Sequence, residues 1–351
     1  MLDDANVRDC QGKSENLYYY NLLGDDEKYL YGEILYILEN MLHDQMLSVI
    51  DDKELDRVFQ YVQNDHPEIF YVEGYSYVRY LLNDEVKALV LSGSYNMTRD
   101  EVLTSKEKID QYTDDFLNNL RLELKENLDN YNVIKYTYEY VVLNTEYDLS
   151  APFNQSIISV MDQGRSVCQG YAKTMQYLLS KAGIESTIVI GKVQNGTGHA
   201  WNLVKADGYY YYIDSTWGDA SYTVSSDDEM ILSAIPPVNY EYLLVTDEVI
   251  KETHYFDEPD IMPMCIATED NYYVKEGLLF DSVDDEHLRL VFDKAYDAGD
   301  EYIILKMTDS STYQSMWTYL LEKQNIFEYL RGRNSVSYAE SPEQCYMVFW
   351  I

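Results

Sequence analysis

Asp207-Gly208 is the feature that most limits what this chain can fold into. An Asp-Gly pair between strand-like runs is the strongest short-range signal for a two-residue hairpin turn. The flanking runs are His199–Lys205 and Tyr209–Asp214. Such a turn sets the register, so that Ala206 opposes Tyr209, Val204 opposes Tyr211 and Trp201 opposes Asp214. His199 lies two positions before Trp201, so His199 and Asp214 are expected on one sheet face as diagonal neighbours. Diagonal neighbours sit about 7–8 Å apart at the backbone, close enough for an imidazole to reach a carboxylate. The spacing therefore predicts a base and its orienting carboxylate side by side.

A thiol is the missing partner. Val167, Tyr171, Ala172, Met175, Leu178, Leu179 and Ala182 recur on one side of a helix that follows Ser166, with Gly183 placed to stop it. Ser166-Val167-Cys168-Gln169 has the form of a capping box, which predicts Ser166 as the cap and Cys168 in the first turn. Free N–H groups and the positive end of the helix dipole there favour a thiolate. Gly170 is expected to leave room for a substrate backbone near the sulfur. A lone helical cysteine is most often just a small buried residue. What singles out Cys168 is the His199 and Asp214 pair downstream.

The rest of the chain divides around this centre. Residues 1–129 read as a helical front: Leu30, Ile34, Ile37, Leu38 and Met41 recur at helical spacing, Val58, Tyr61 and Val62 mark a second helix, and Lys106–Leu128 a third. Residues 130–255 form the candidate core, entered through a helix over Asn132–Leu143 and containing a further strand-like run, Ser186–Val193. Residues 256–351 read as a small α+β unit, with strands at Tyr302–Met307 and Cys345–Ile351 and helices at Leu288–Ala298 and Tyr313–Leu321. The fold class is α+β. No flexible linker separates the parts, so the flanks are expected to pack on the core and shape one side of its cleft.

Charge narrows the partners. Lys plus Arg number 26 against 62 Asp plus Glu, a net charge of −36. Such a surface repels phosphate backbones and anionic lipid, which argues against nucleic acid and membrane surfaces. No stretch has the ~18 apolar residues of a membrane span. Cys10, Cys168, Cys265 and Cys345 lie far apart without a CxxC pair, so neither a zinc site of ordinary spacing nor a disulfide framework is expected. The acidic opening Met1-Leu2-Asp3-Asp4 has no signal-peptide pattern. An extracellular or cell-surface setting is expected if a leader has been removed, and a cytoplasmic one otherwise. His43, His66, His254 and His287 are scattered and are expected to be structural or exposed.

Three blocks carry a resemblance: Gly164-Arg165-Ser166-Val167-Cys168-Gln169-Gly170-Tyr171-Ala172, Gly198-His199-Ala200-Trp201-Asn202 and Tyr212-Ile213-Asp214-Ser215-Thr216-Trp217. In that order and at that spacing they resemble the Cys, His and Asp motifs of the bacterial transglutaminase-like superfamily. The resemblance implies a papain-like core, a nucleophile helix packed on an antiparallel sheet, acting on a protein or peptide through a thioester. It implies Cys168, His199 and Asp214 as catalytic residues and no metal or other cofactor. Gln155, upstream of the thiol as in papain-like layouts, is a candidate oxyanion donor beside the Cys168 N–H. Trp201 and Trp217 are candidates to line a substrate groove. Hydrolysis is the simplest outcome. An isopeptide-forming transferase, or a non-catalytic surface binding or scaffold module that retains the triad, are the alternatives.

Overall fold

Asp207 and Gly208 both take positive φ, 48° and 90°, as a two-residue hairpin turn demands. The strands it joins, Gly198–Ala206 and Tyr209–Ile213, pair with Ala206 opposite Tyr209 and Val204 opposite Tyr211, the register expected from the turn. They sit in a five-stranded antiparallel sheet whose spatial order is His254–Phe256, Ser186–Val193, Gly198–Ala206, Tyr209–Ile213 and Leu243–Val245. This computed structural model describes residues 2–49, 51–219 and 236–351.

One face of the sheet receives the helix Cys168–Lys181. Ala172, Ile188 and Ala200 form the contact, and the small alanines allow a close approach. Asn202, fully buried, donates from Nδ2 to the Ala172 carbonyl at 2.9 Å and so ties sheet to helix. Gly183 ends the helix at φ +86°, with Ile184 N–H returning to Leu179 O. The other face carries an apolar cluster that includes Val189, Trp201, Leu203, Tyr212, Val245 and Ile250.

The front packs directly on this core. Its helices run over Asp25–Glu39, Leu55–Asp65 and Arg99–Leu124, and Asn130–Leu143 leads into the sheet region. Tyr19 Oη donates to Ile188 O at 2.9 Å, and Gln176 Nε2 to Asn64 O at 2.8 Å. Of the described residues, 2–49, 51–219 and Glu241–Ile266 form one compact unit as a result. The front is not helical throughout. Val72–Leu82 and Glu85–Tyr95 form a long hairpin around Asn83-Asp84, both at positive φ, with Gln45–Met46 as a third short strand. Its Tyr, Val and Leu side chains suit a strand, and an Asn-Asp turn that tolerates left-handed backbone closes it.

Of the described residues, 236–240 and Ala267–Ile351 make the second compact unit. Among its described residues, a four-stranded sheet in the order Leu279–Phe280, Tyr302–Met307, Tyr346–Trp350, Ser337–Ser341 carries the helices Asp285–Ala298 and Ser310–Trp317. Leu288, Phe292, Leu305, Met316 and Phe349 fill its core. Among the described residues no helix is long and apolar enough to cross a membrane.

Candidate active site

Cys168 is the first residue of its helix. The cap is Val167, one residue later than the capping-box reading placed it, and Val167 offers no side-chain acceptor. Ser166 is fully buried and donates from Oγ to the Asn154 carbonyl at 2.6 Å, and Val167 N–H donates to the same oxygen at 3.1 Å. Ser166 thus anchors the preceding chain to the 154 turn instead of satisfying the helix end. The N–H groups of Cys168 and Gln169 have no acceptor among the described residues, as expected at a helix start.

Gly170 serves packing, not substrate access. A Cβ there would lie 1.8 Å from Ser166 Oγ and 2.9 Å from Asn154 O. Gly170→Ala must therefore break the Ser166–Asn154 contact and shift the first turn that carries the thiol. The expected cost is about 1–3 kcal/mol, read as a lower urea midpoint, with slower alkylation of Cys168.

His199 is the second residue of its strand. Ala200 faces the helix, so His199 and Trp201 turn to the opposite side. His199 Nε2 lies 2.7 Å from Asp214 Oδ2. The Cys168 sulfur acts on the same ring and favours its charged form. Asp214 is fully buried just past the partner strand and caps the short helix Ser215–Gly218. Its Oδ1 accepts from Thr216 N–H at 2.9 Å and Trp217 N–H at 3.1 Å.

A further residue joins this cluster. His254 is fully buried, and its Nε2 lies 3.0 Å from the same Asp214 Oδ2. Its Nδ1 lies 2.8 Å from Thr253 Oγ1. The ring is enclosed by Trp217, Trp201 and Tyr242, with centroids at 4.8, 4.9 and 5.6 Å. His254 stands 40 residues beyond Asp214 in the chain. Only the pairing of its strand, His254 opposite Val193, on the strand that also pairs Gly191 with His199, brings it in.

The electrostatics follow from burial and pairing. Burial alone would push the His199 imidazolium down, but the Asp214 carboxylate and then the Cys168 sulfur outweigh it and carry the ring up to about 10. For Asp214 burial opposes the charge, yet His199 and then His254 hold its carboxyl well below the usual range.

His199, Asp214 and His254 also form the group of potential metal donors found among the described residues, with ligand atoms within 4.8 Å of one another. Their geometry is that of hydrogen bonds. Nitrogen and oxygen ligands sharing a tetrahedral zinc lie about 3.3 Å apart, whereas these pairs are 2.7 and 3.0 Å apart and converge on one oxygen.

The remaining candidates separate. Trp201 is fully buried, stacked on His199 at 6.1 Å between ring centres and packed among Val189, Leu203 and Tyr212. It supports the site from inside and lines no groove, because strand alternation turns it into the core. Trp217 is half-buried, 6.0 Å from His199 between ring centres. Gln155 is exposed, next to the Asn154 carbonyl that anchors residues 166 and 167, and makes no hydrogen bond among the described residues.

A family model described as the transglutaminase-like superfamily matches residues 119–215, a span that holds all three candidate catalytic residues. Residues 119–215 are thus similar to a transglutaminase-like core. The match covers a little over a quarter of the 351 residues. Among solved structures, a TGase is similar at 13% identity over 52% of this chain and 51% of that one, with a TM-score of 0.30. A candidate cysteine protease from Cytophaga hutchinsonii is similar at 12% identity over 42% of this chain and 66% of that one, with a TM-score of 0.25. The alignments thus span about half and just under two thirds of those chains. No curated protein sequence matches.

Proposed function

We propose that the transglutaminase-like core carries out thiol-dependent amide chemistry on a protein or peptide, with hydrolysis as its outcome. One observation carries this reading: His199, on which the Cys168 sulfur at a helix start acts electrostatically, is held at 2.7 Å by a buried carboxylate. That is the nucleophile, base and orienting group of covalent acyl transfer. Cys168 attacks the carbonyl carbon of the scissile amide and gives its proton to His199. His199 passes that proton to the departing amine as the C–N bond breaks, leaving a thioester. Water then attacks the thioester, His199 takes its proton and returns one to sulfur, and a carboxylic acid leaves. Asp214 keeps the imidazole turned toward the sulfur. The Cys168 N–H, left without an acceptor at the helix start, is the candidate oxyanion donor, with Gln155 as the side-chain candidate.

The test is turnover of a peptide library, with and without added primary amines, by the parent and by Cys168→Ala, with mass spectrometry of intact enzyme. The expected result is an acyl adduct on Cys168, free acid as product, and at least about a 10³-fold loss in the variant. Amine incorporation in place of free acid would make the protein an isopeptide-forming transferase. Absence of any adduct would point to a binding or scaffold module.

A further inference from the structure

In the thiol reading, His199 must do two opposed things. It must hold a proton firmly enough to keep Cys168 as thiolate, and release it readily to the leaving amine. A buried carboxylate bonded to the ring helps the first and hinders the second. Asp214, however, does not serve His199 alone. Its Oδ2 is shared between His199 at 2.7 Å and His254 at 3.0 Å.

The protonation of His254 follows from its partners. An ionised carboxylate only accepts hydrogen bonds, so His254 Nε2 carries the proton on the Asp214 side. Its Nδ1 lies 2.8 Å from Thr253 Oγ1, a hydroxyl that can donate or accept there. The carboxylate itself therefore fixes the N–H that His254 turns to Asp214. The groups facing this ring are Asp214, His199 with Cys168 beyond it, and Tyr242, whose hydroxyl lies 3.5 Å from Thr253 Oγ1. Glu241 and Glu252 act on Tyr242, Tyr138 Oη bonds the Asp214 carbonyl at 3.3 Å, and Trp201 and Trp217 present uncharged faces.

We propose that His254 is a positioning residue acting through Asp214: by donating to the same oxygen as His199 it draws off part of the carboxylate's pull, so that the His199 imidazolium can give up its proton during turnover. The inference rests on the thiol reading above. A donor in a purely structural role would stabilise the fold without setting where His199 titrates.

The experiment follows the His199 ring by NMR in protein with carbon-labelled histidine, alongside the pH profile of Cys168 alkylation by iodoacetamide. His254→Phe removes the donor. His254→Leu, smaller than the ring it replaces, also removes the donor and decides the matter if His254→Phe does not fold. Each should raise the pH at which His199 loses its proton, by about half a unit to one unit. His254→Gln, which keeps an N–H at the same reach, should restore the parent value. A folded His254→Leu or His254→Phe protein in which His199 titrates unchanged or lower would overturn the proposal while leaving the thiol reading intact. A parent protein in which Cys168 alkylates no faster than Cys345 would instead overturn the thiol reading, and the proposal with it.

Discussion

Iodoacetamide at pH 6 should modify Cys168 first among the four thiols. A helix N-terminus and a neighbouring imidazolium favour a thiolate, and a less basic thiolate is also a weaker nucleophile, so the advantage over an ordinary exposed thiol should be about tenfold. Against Cys10 and Cys265 the contrast is far larger. Both are buried, and burial pushes each thiol up to about 12. His199→Ala should remove most of the advantage, because the imidazolium is the larger local charge and a helix dipole contributes only about 0.3–1 kcal/mol at exposed sites. Mass mapping of the alkylated peptides checks this. Labelling of Cys168 no faster than that of Cys345, or unaffected by His199→Ala, would count against the enzyme reading.

Asp214→Ala should be the most destabilising single change in the core, at about 3–5 kcal/mol. The carboxylate accepts from His199, His254, Thr216 N–H and Trp217 N–H, all inside the protein. Removing it leaves buried donors and a buried imidazole without acceptors. Asp214→Asn keeps an oxygen for the helix cap and loses the charge, so its cost should be smaller and concentrated on the histidines. The pH dependence separates the parts. His199 has its folded value raised from 6.5 to about 10, so its stabilisation is complete below pH 6.5 and is lost as pH rises toward 10. Asp214 has its folded value depressed from 3.8, so its stabilisation is complete above that pH and is lost as pH falls. The pair is intact between about pH 4 and 6.5. The Tm gap between the parent and Asp214→Asn should be widest there and narrow toward pH 10. Urea midpoints for the two variants and thermal scans over pH measure both effects. Equal costs for Asn and Ala, or a gap that widens above pH 9, would contradict this account.

Local signals were legible wherever a short stretch carries its own geometry. Asp207-Gly208 dictates its turn, and a two-residue turn leaves one register, so the approach of His199 to Asp214 could be read from spacing. The strands Ser186–Val193 and Tyr302–Met307 and the helix stop at Gly183 follow from periodicity and punctuation in the same way. The long hairpin of Val72–Tyr95 was within reach of the same reasoning, since an Asn-Asp turn parts two Tyr- and Val-rich runs.

Tertiary structure alone decided the rest. Ser166 could satisfy a helix end or an upstream carbonyl, and the position of Asn154 settled which. The same close approach makes Gly170 a packing residue. Trp201 belongs to an alternating aromatic hairpin, a pattern equally suited to a groove wall or a core, and the cluster on that sheet face buries it. His254 carries no local mark at all. Its partner is chosen by an edge strand that adds to the sheet from 40 residues downstream of Asp214. Turn chemistry and side-chain period act over a few residues and are written in the chain. Which buried donor meets which buried acceptor depends on how distant segments pack, and that choice exists only once the core has closed.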